Sequence, residues 1–248
     1  MGLPAIFYDN RLADASPVAD STATGYAVDN LTDWRSYNWW RPNAMPATVT
    51  VDCGSAKAAD YMLLLGHDLG TQGVTVELRA STDNFAASDV LVDSATPSTD
   101  EPLLLLFNSA SYRYWRLSFS GANPPSIAIA AIGAVMRLPV YMQQPFDPLG
   151  RDPKGEAVRS GGGHPLAKII NYEDWKQTIN LKSVTWTWLR NTWLPAWRSH
   201  LRGTPFGFAW NPDDYPAELL LAETAGGFKT PHRGIYADLT FELEAVIA

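Results

Sequence analysis

Trp34, Arg35, Tyr37, Trp39, Trp40 and Arg41 form the densest group of side chains suited to recognition. Exposed indoles stack on sugar faces and pair with arginine at interfaces, so Trp39, Trp40 and Arg41 are candidate contacts for a glycan or a protein. The competing role for the tryptophans is packing, with one or two plugging the bottom of a β core. Asp68, beside His67, follows the apolar run Tyr61 to Leu65, at a strand end where a sandwich displays its loops. It is a further candidate contact, set against an ordinary surface loop.

Catalytic constellations do not assemble. His67, His164, His200 and His232 stand in unrelated contexts without ligand spacing, and Cys53 has no second cysteine to pair with, so neither a zinc site nor a disulfide scaffold is expected. There is no nucleophile elbow, Walker loop or dinucleotide fingerprint, and Gly161-Gly162-Gly163 follows no strand that would aim it at a phosphate. Asp213-Asp214 is the one imaginable carboxylate pair. Glycoside hydrolysis needs two acids on opposite sides of one bond, and adjacent residues rarely face one cleft, so an Asp-rich turn is the plainer reading. The chain is expected to bind rather than catalyse, with no cofactor and no metal.

Composition bounds the partners. Nineteen basic against 26 acidic residues give a net charge of −7, which argues against a nucleic-acid surface. The longest apolar runs fall far short of the ~20 residues that span a bilayer. The N-terminal MGLPAIFYDNRLADAS lacks a basic start followed by a long apolar stretch, so no secretory signal is expected. Ten Trp, ten Tyr, nine Phe, 18 Gly and 18 Pro describe a β-rich chain of short strands and frequent turns.

Period-2 alternation locates the strands. It appears at Thr48 to Asp52, at Val74 to Arg79 and at Tyr114 to Phe119, while Tyr61 to Leu65 and Ile127 to Met136 are continuously apolar, as in strands buried on both faces. These make residues 1–137 a β-sandwich, and a fragment of that length is expected to fold. Alternation stops over residues 138–165, which read as a linker or long extended loop lying outside both cores. Residues 166–248 form a second β-rich domain with one helix, whose strands can begin as early as 138. In it Ile179 and Leu181 lie on one parity and Val184, Trp186 and Trp188 on the other, which predicts a β-bulge at Lys182-Ser183. Thr192 then caps a helix of about three turns with Pro195 in its first turn and Trp193, Leu194, Trp197 and Leu201 on one face. Some of the six tryptophans of this domain are expected in a protein interface. Phe206 to Trp210 forms a short strand, and Ala237, Leu239, Phe241, Leu243 and Ala245 alternate with polar residues in a last strand that closes the sheet on the helix.

Two resemblances extend this reading. Asp29-Asn30-Leu31, Thr48-Val49-Thr50-Val51-Asp52-Cys53-Gly54 running into Ala59-Asp60-Tyr61, Tyr112 to Leu117, and Ile129 to Gly133 resemble a galactose-binding-like, discoidin-type jelly roll. Thr204 to Pro216, followed by Tyr236 to Leu243, is similar to tail-tip and distal-tail proteins of long-tailed bacteriophages and prophages. The second resemblance implies a virion protein of the tail tip or baseplate, made in the bacterial host's cytoplasm. Such a protein forms a homo-oligomeric ring that links the tail tube to hub, tip or fibre proteins. The first implies the alternative, a carbohydrate-binding protein holding a host surface glycan through its jelly roll.

Overall fold

The computed structural model describes residues 2–247. The fold is mainly β and divides into two compact units, one of residues 2–137 with Asn211–Leu219, the other of residues 138–210 with residues 220–247.

In the first unit the strands are β1 (Ala5–Phe7), β2 (Val18–Ala19), β3 (Ala47–His67), β4 (Thr75–Ser81), β5 (Val90–Ala95), β6 (Leu103–Ser120), β7 (Ile127–Gly133) and β8 (Met136–Arg137). All pairings are antiparallel, with the order β2-β3-β6-β4-β5, β7 on β3, and β1 on β8. β3 and β6 are long because each serves two sides of one core. The first part of β3 pairs with the end of β6 (Val49 opposite Leu117), and its second part pairs with the start of β6 and with β7 (Leu64 opposite Leu103 and Ala130). Between these parts the register slips after Asp52, where Gly54 takes a left-handed φ of 72° and donates its N–H to the Asp52 carboxylate at 2.8 Å. Glycine carries that φ without a Cβ penalty. Arg113 grips the same carboxylate through two 2.7 Å bonds, and this holds the Asp52 pKa down at about 2.

The apolar parity of each strand meets in a single core containing Val49, Val51, Met62, Leu64, Val76, Leu78, Trp115, Leu117, Phe119, Ala130 and Ile132, all buried. The sandwich expected from alternation is therefore present. Tyr61 lies on the opposite side of β3, fully buried edge-on to Phe7 at 4.9 Å, with its hydroxyl donating to the Asp9 carbonyl.

In the second unit β9 (Asp152–Arg159) and β10 (Pro165–Thr185) form a hairpin, followed by helix α1 over residues 186–201 and strands β11 (Phe206–Ala209), β12 (Leu220–Lys229), β13 (His232–Arg233) and β14 (Tyr236–Ile247). The sheet order is β11-β12-β14-β10-β9, with β13 on β14. The bulge expected at Lys182-Ser183 is present as a register shift between Leu181 and Val184. Ser183 adopts φ 59°, and Asp238 ties the bulge by accepting from Ser183 N at 3.1 Å and from Lys182 Nζ at 2.9 Å. On β14 the five alternating apolar residues are all buried, and Phe241 meets Trp193 of the helix at 4.6 Å.

One expectation for this unit is corrected. The helix begins earlier than the Thr192 cap and takes in Trp186 and Trp188, whose parity predicts strand. Thr185 supplies the N-cap, its hydroxyl accepting from Trp188 N at 3.3 Å, and that local bond outcompetes continuation of β10. Pro195 therefore lies inside the helix, and the turns on either side, Leu189–Trp193 and Leu201 back to Trp197, are of the wide π type, which absorbs the missing donor and the ring. Of the two alternatives for residues 138–165, a linker or loop and strands of the second domain beginning from 138, part of the stretch takes the latter: it contains β9, paired to β10 from Arg159 opposite Pro165 to Asp152 opposite Asp174. Alternation is missing there because the hairpin buries neither face, so no parity has to be apolar. Val158, Leu166, Ile169, Ile170 and Tyr172 are exposed on it.

Candidate functional site

The loops that enter and leave the core strands of the first unit are stitched together at one end. Asp68 is the junction: one carboxylate oxygen accepts from Ser126 N at 2.7 Å, the other from Gln72 Nε2 at 3.2 Å, and its carbonyl accepts from Gln72 N at 2.9 Å. Asp100 ties the loop before β6 to the short turn Leu69–Gln72 by accepting from Thr71 N at 2.9 Å and from the Thr71 hydroxyl at 2.5 Å. That hydroxyl bond, foremost among its contacts, lowers the Asp100 pKa. His67 is buried between these loops, its Nδ1 accepting from Leu69 N at 3.4 Å, while its Nε2 has no hydrogen-bond partner among the described residues. Burial lowers its pKa, with Asp100 and Asp68 opposing the shift, so the ring is neutral at pH 7.

Beside Ser126 and Ile127 runs the aromatic segment. Trp40 exchanges two backbone bonds with Ile127, N to O at 2.9 Å and O to N at 3.0 Å. That bridge fixes which way each neighbour faces. Trp40 points inward, fully buried, 5.5 Å from Phe119 and with its indole N–H 3.4 Å from the Thr22 hydroxyl. Exposure then alternates along the segment: Tyr37, Trp39, Arg41 and Asn43 are exposed, while Trp40 and Pro42 are buried. Trp39 is 40% and Tyr37 65% exposed. The backbone under this row is pinned further where Asn30 Nδ2 donates to the Trp39 carbonyl at 2.8 Å and Ala23 N to the Arg41 carbonyl at 2.8 Å. Upstream, Trp34 is buried with a left-handed φ of 58°, and the Asp33 carboxylate holds the turn by accepting from Arg35 N and Asn38 Nδ2, each at 2.9 Å.

The four residues singled out from sequence thus take different places. Trp39 and Arg41 face solvent on one pinned row, Trp40 is part of the core, and both carboxylate oxygens of Asp68 are engaged in joining loops. Tyr37, a member of the same sequence cluster, is exposed as well. The signal that could have found it is the 37–43 alternation itself, hidden because tryptophan occupies both an outward and an inward position.

Exposed aromatic rings such as Trp39 and Tyr37 can each stack on the apolar face of a sugar ring, and the Arg41 guanidinium can donate in-plane hydrogen bonds. The row holds no nucleophile and no paired acids. Asp213 and Asp214, the carboxylates considered for hydrolysis, lie in an exposed turn: Asp213 accepts from Arg137 at 2.8 Å and Asp214 from Asn211 Nδ2 at 2.9 Å. Among the described residues no three His, Cys, Asp or Glu side chains group as metal ligands, and no helix is long and apolar enough to cross a membrane. Cys53 is buried, which raises its thiol pKa to about 11.

No protein-family model matches the chain, and no curated protein matches it. Solved structures similar to it include carbohydrate-binding modules and chains of glycoside hydrolases and an alginate lyase. One is the CBM32 of AlyQ in complex with 4,5-unsaturated mannuronic acid, 22% identical with a TM-score of 0.40, covering 51% of this chain and 96% of the module. Another is a pectin-binding carbohydrate-binding module, 15% identical with a TM-score of 0.41, covering 48% of this chain and 88% of the module. A third is chitosan-binding module 1 from a chitosanase/glucanase of Paenibacillus sp. IK-5, 15% identical with a TM-score of 0.44, covering 50% of this chain and 98% of the module.

Proposed function

We propose that the chain is a glycan-binding protein whose first unit recognises sugar rings through Tyr37, Trp39 and Arg41. The observation that carries this reading is that two aromatic side chains and a guanidinium are displayed outward from a backbone pinned by Ile127, Asn30 and Ala23. Binding on a platform already held in place loses little conformational entropy. The test is titration calorimetry of the full chain against a panel of soluble oligosaccharides. At least one member binds, and Trp39→Ala lowers its affinity tenfold or more without changing the melting temperature appreciably. A panel without binding, or binding indifferent to Trp39→Ala, refutes the reading.

A second reading concerns the second unit, and the exposed apolar hairpin β9–β10 favours it. A two-stranded ribbon is marginal in water, and one that presents Leu166, Ile169 and Ile170 to solvent gains from being covered. This supports assembly into a larger body, for which a bacteriophage tail tip, with the chain as a ring component carrying a glycan-binding module, is the proposed setting. Mass spectrometry of purified particles from the source strain tests it: a fixed low copy number supports the setting, and absence from particles refutes it.

A further inference from the structure

Resting on the glycan-binding reading, we infer that the sugar bound at this row is anionic, a uronate-type ring whose carboxylate is taken by Arg41. The argument comes from how the first unit uses its cations. Arg11 is held by Asp9 at 2.6 Å, Lys57 by Asp14 at 3.0 Å, Arg79 by Glu77 and Asp89 at 2.7 Å each, Arg113 by Asp52 at 2.7 Å and Arg137 by Asp213 at 2.8 Å. Arg116 donates to the Thr50 hydroxyl at 2.8 Å and lies 3.6 Å above the Phe85 ring. Arg35 has one loose contact, 3.9 Å from Asp33. Among the described residues the Arg41 side chain has no acidic or hydrogen-bonding partner, although acids outnumber bases in the chain by 26 to 19.

In a unit that pairs most of its other cations with its own acids, an exposed guanidinium left open two residues from the exposed Trp39 is set for an acid that arrives with the ligand. Guanidinium and carboxylate match as planar groups joined by two parallel hydrogen bonds, a geometry lysine does not reproduce. The net charge of −7 does not oppose this, because at 0.15 M salt the field of distant acids is screened over about 8 Å and the local contact decides.

The experiment compares trigalacturonate with uncharged galactotriose by calorimetry on the full chain in 0.15 M NaCl, using wild type, Arg41→Gln, Arg41→Lys and Trp39→Ala. Trigalacturonate binds, with affinity falling tenfold or more in Arg41→Gln, by a smaller factor in Arg41→Lys, and tenfold or more in Trp39→Ala, while galactotriose binds weakly or not at all. An unchanged melting temperature shows that Arg41→Gln is folded, as expected for an exposed side chain. If galactotriose binds as well as trigalacturonate, with sensitivity to Trp39→Ala but not to Arg41→Gln, the anionic preference is overturned and the glycan-binding reading stands. If neither trimer nor any neutral or acidic oligosaccharide of the panel binds, both fall together.

Discussion

The aromatic row of the first unit and the β9–β10 hairpin of the second both expose large apolar side chains, yet they do so on opposite kinds of support. Under Trp39 and Tyr37 the backbone is tied by bonds to Ile127, Asn30 and Ala23, and the exposed residues are few and flanked by arginine. Under Ile169 and Ile170 there is a bare ribbon whose neighbours are exposed as well. Rigid support with a polar flank suits a small ligand, because the ligand finds its orientation already set. A long ribbon exposed on both faces suits a large partner that orders it on contact. Exposure alone does not distinguish these cases; what holds the backbone does.

The sharpest way to break the comparison is within the row itself. Trp40→Ala removes a fully buried indole and is expected to cost about 3–5 kcal/mol of stability, read as a large loss in melting temperature or a failure to fold. Trp39→Ala, one residue away, is expected to leave the melt nearly in place and, on the proposed function, to lower oligosaccharide affinity tenfold or more. If the two variants melted alike, the alternation that defines the site would be wrong. The hairpin gives the next largest effect, in association rather than stability: Leu166→Ser, Ile169→Ser and Ile170→Ser together lower self-association measured by light scattering at micromolar concentration, while the melt shifts by a few degrees at most. Unchanged oligomer mass in this triple variant would deny the hairpin its role in assembly.

The smallest effect is electrostatic. The Asp100 carboxyl has a lower pKa folded than unfolded because Thr71 hydrogen-bonds its charged form. Its contribution is present above the unfolded carboxylate pKa and is lost as pH falls through the folded one. Asp100→Asn should therefore destabilise slightly at pH 7 and flatten the acid limb of the melting temperature against pH. A curve parallel to wild type would show that this tether does nothing for stability.

Much of the architecture was legible because burial on one face leaves a period-2 trace. Val49, Val76, Leu117 and Leu239 each carry it, and the bulge at Lys182-Ser183 is readable as a slip in that trace. The helix start was not legible: Trp186 and Trp188 continue the strand parity, and only the Thr185 hydroxyl, choosing Trp188 N, turns the chain. β9 left no trace because it buries nothing. Residue type drew attention to the segment from Trp34 to Arg41, while which of its tryptophans faces outward depends on a backbone bridge to Ile127, far along the chain. Asp68 drew notice for its place at a strand end, and that place gives its carboxylate structural work between Ser126 and Gln72.

The first unit is discontinuous in sequence, since Asn211–Leu219 belongs with residues 2–137. Within that unit Asn211 is buried and its side-chain oxygen accepts from Gly2 N at 2.8 Å. During synthesis, then, most of the sandwich leaves the ribosome long before its last segment does, and the N-terminal residues wait for a partner encoded more than two hundred codons downstream. A gene fragment ending at codon 137 would encode the core strands and the aromatic row without that closing segment. Exchange of this unit as a single uninterrupted cassette of its first stretch would leave the segment behind.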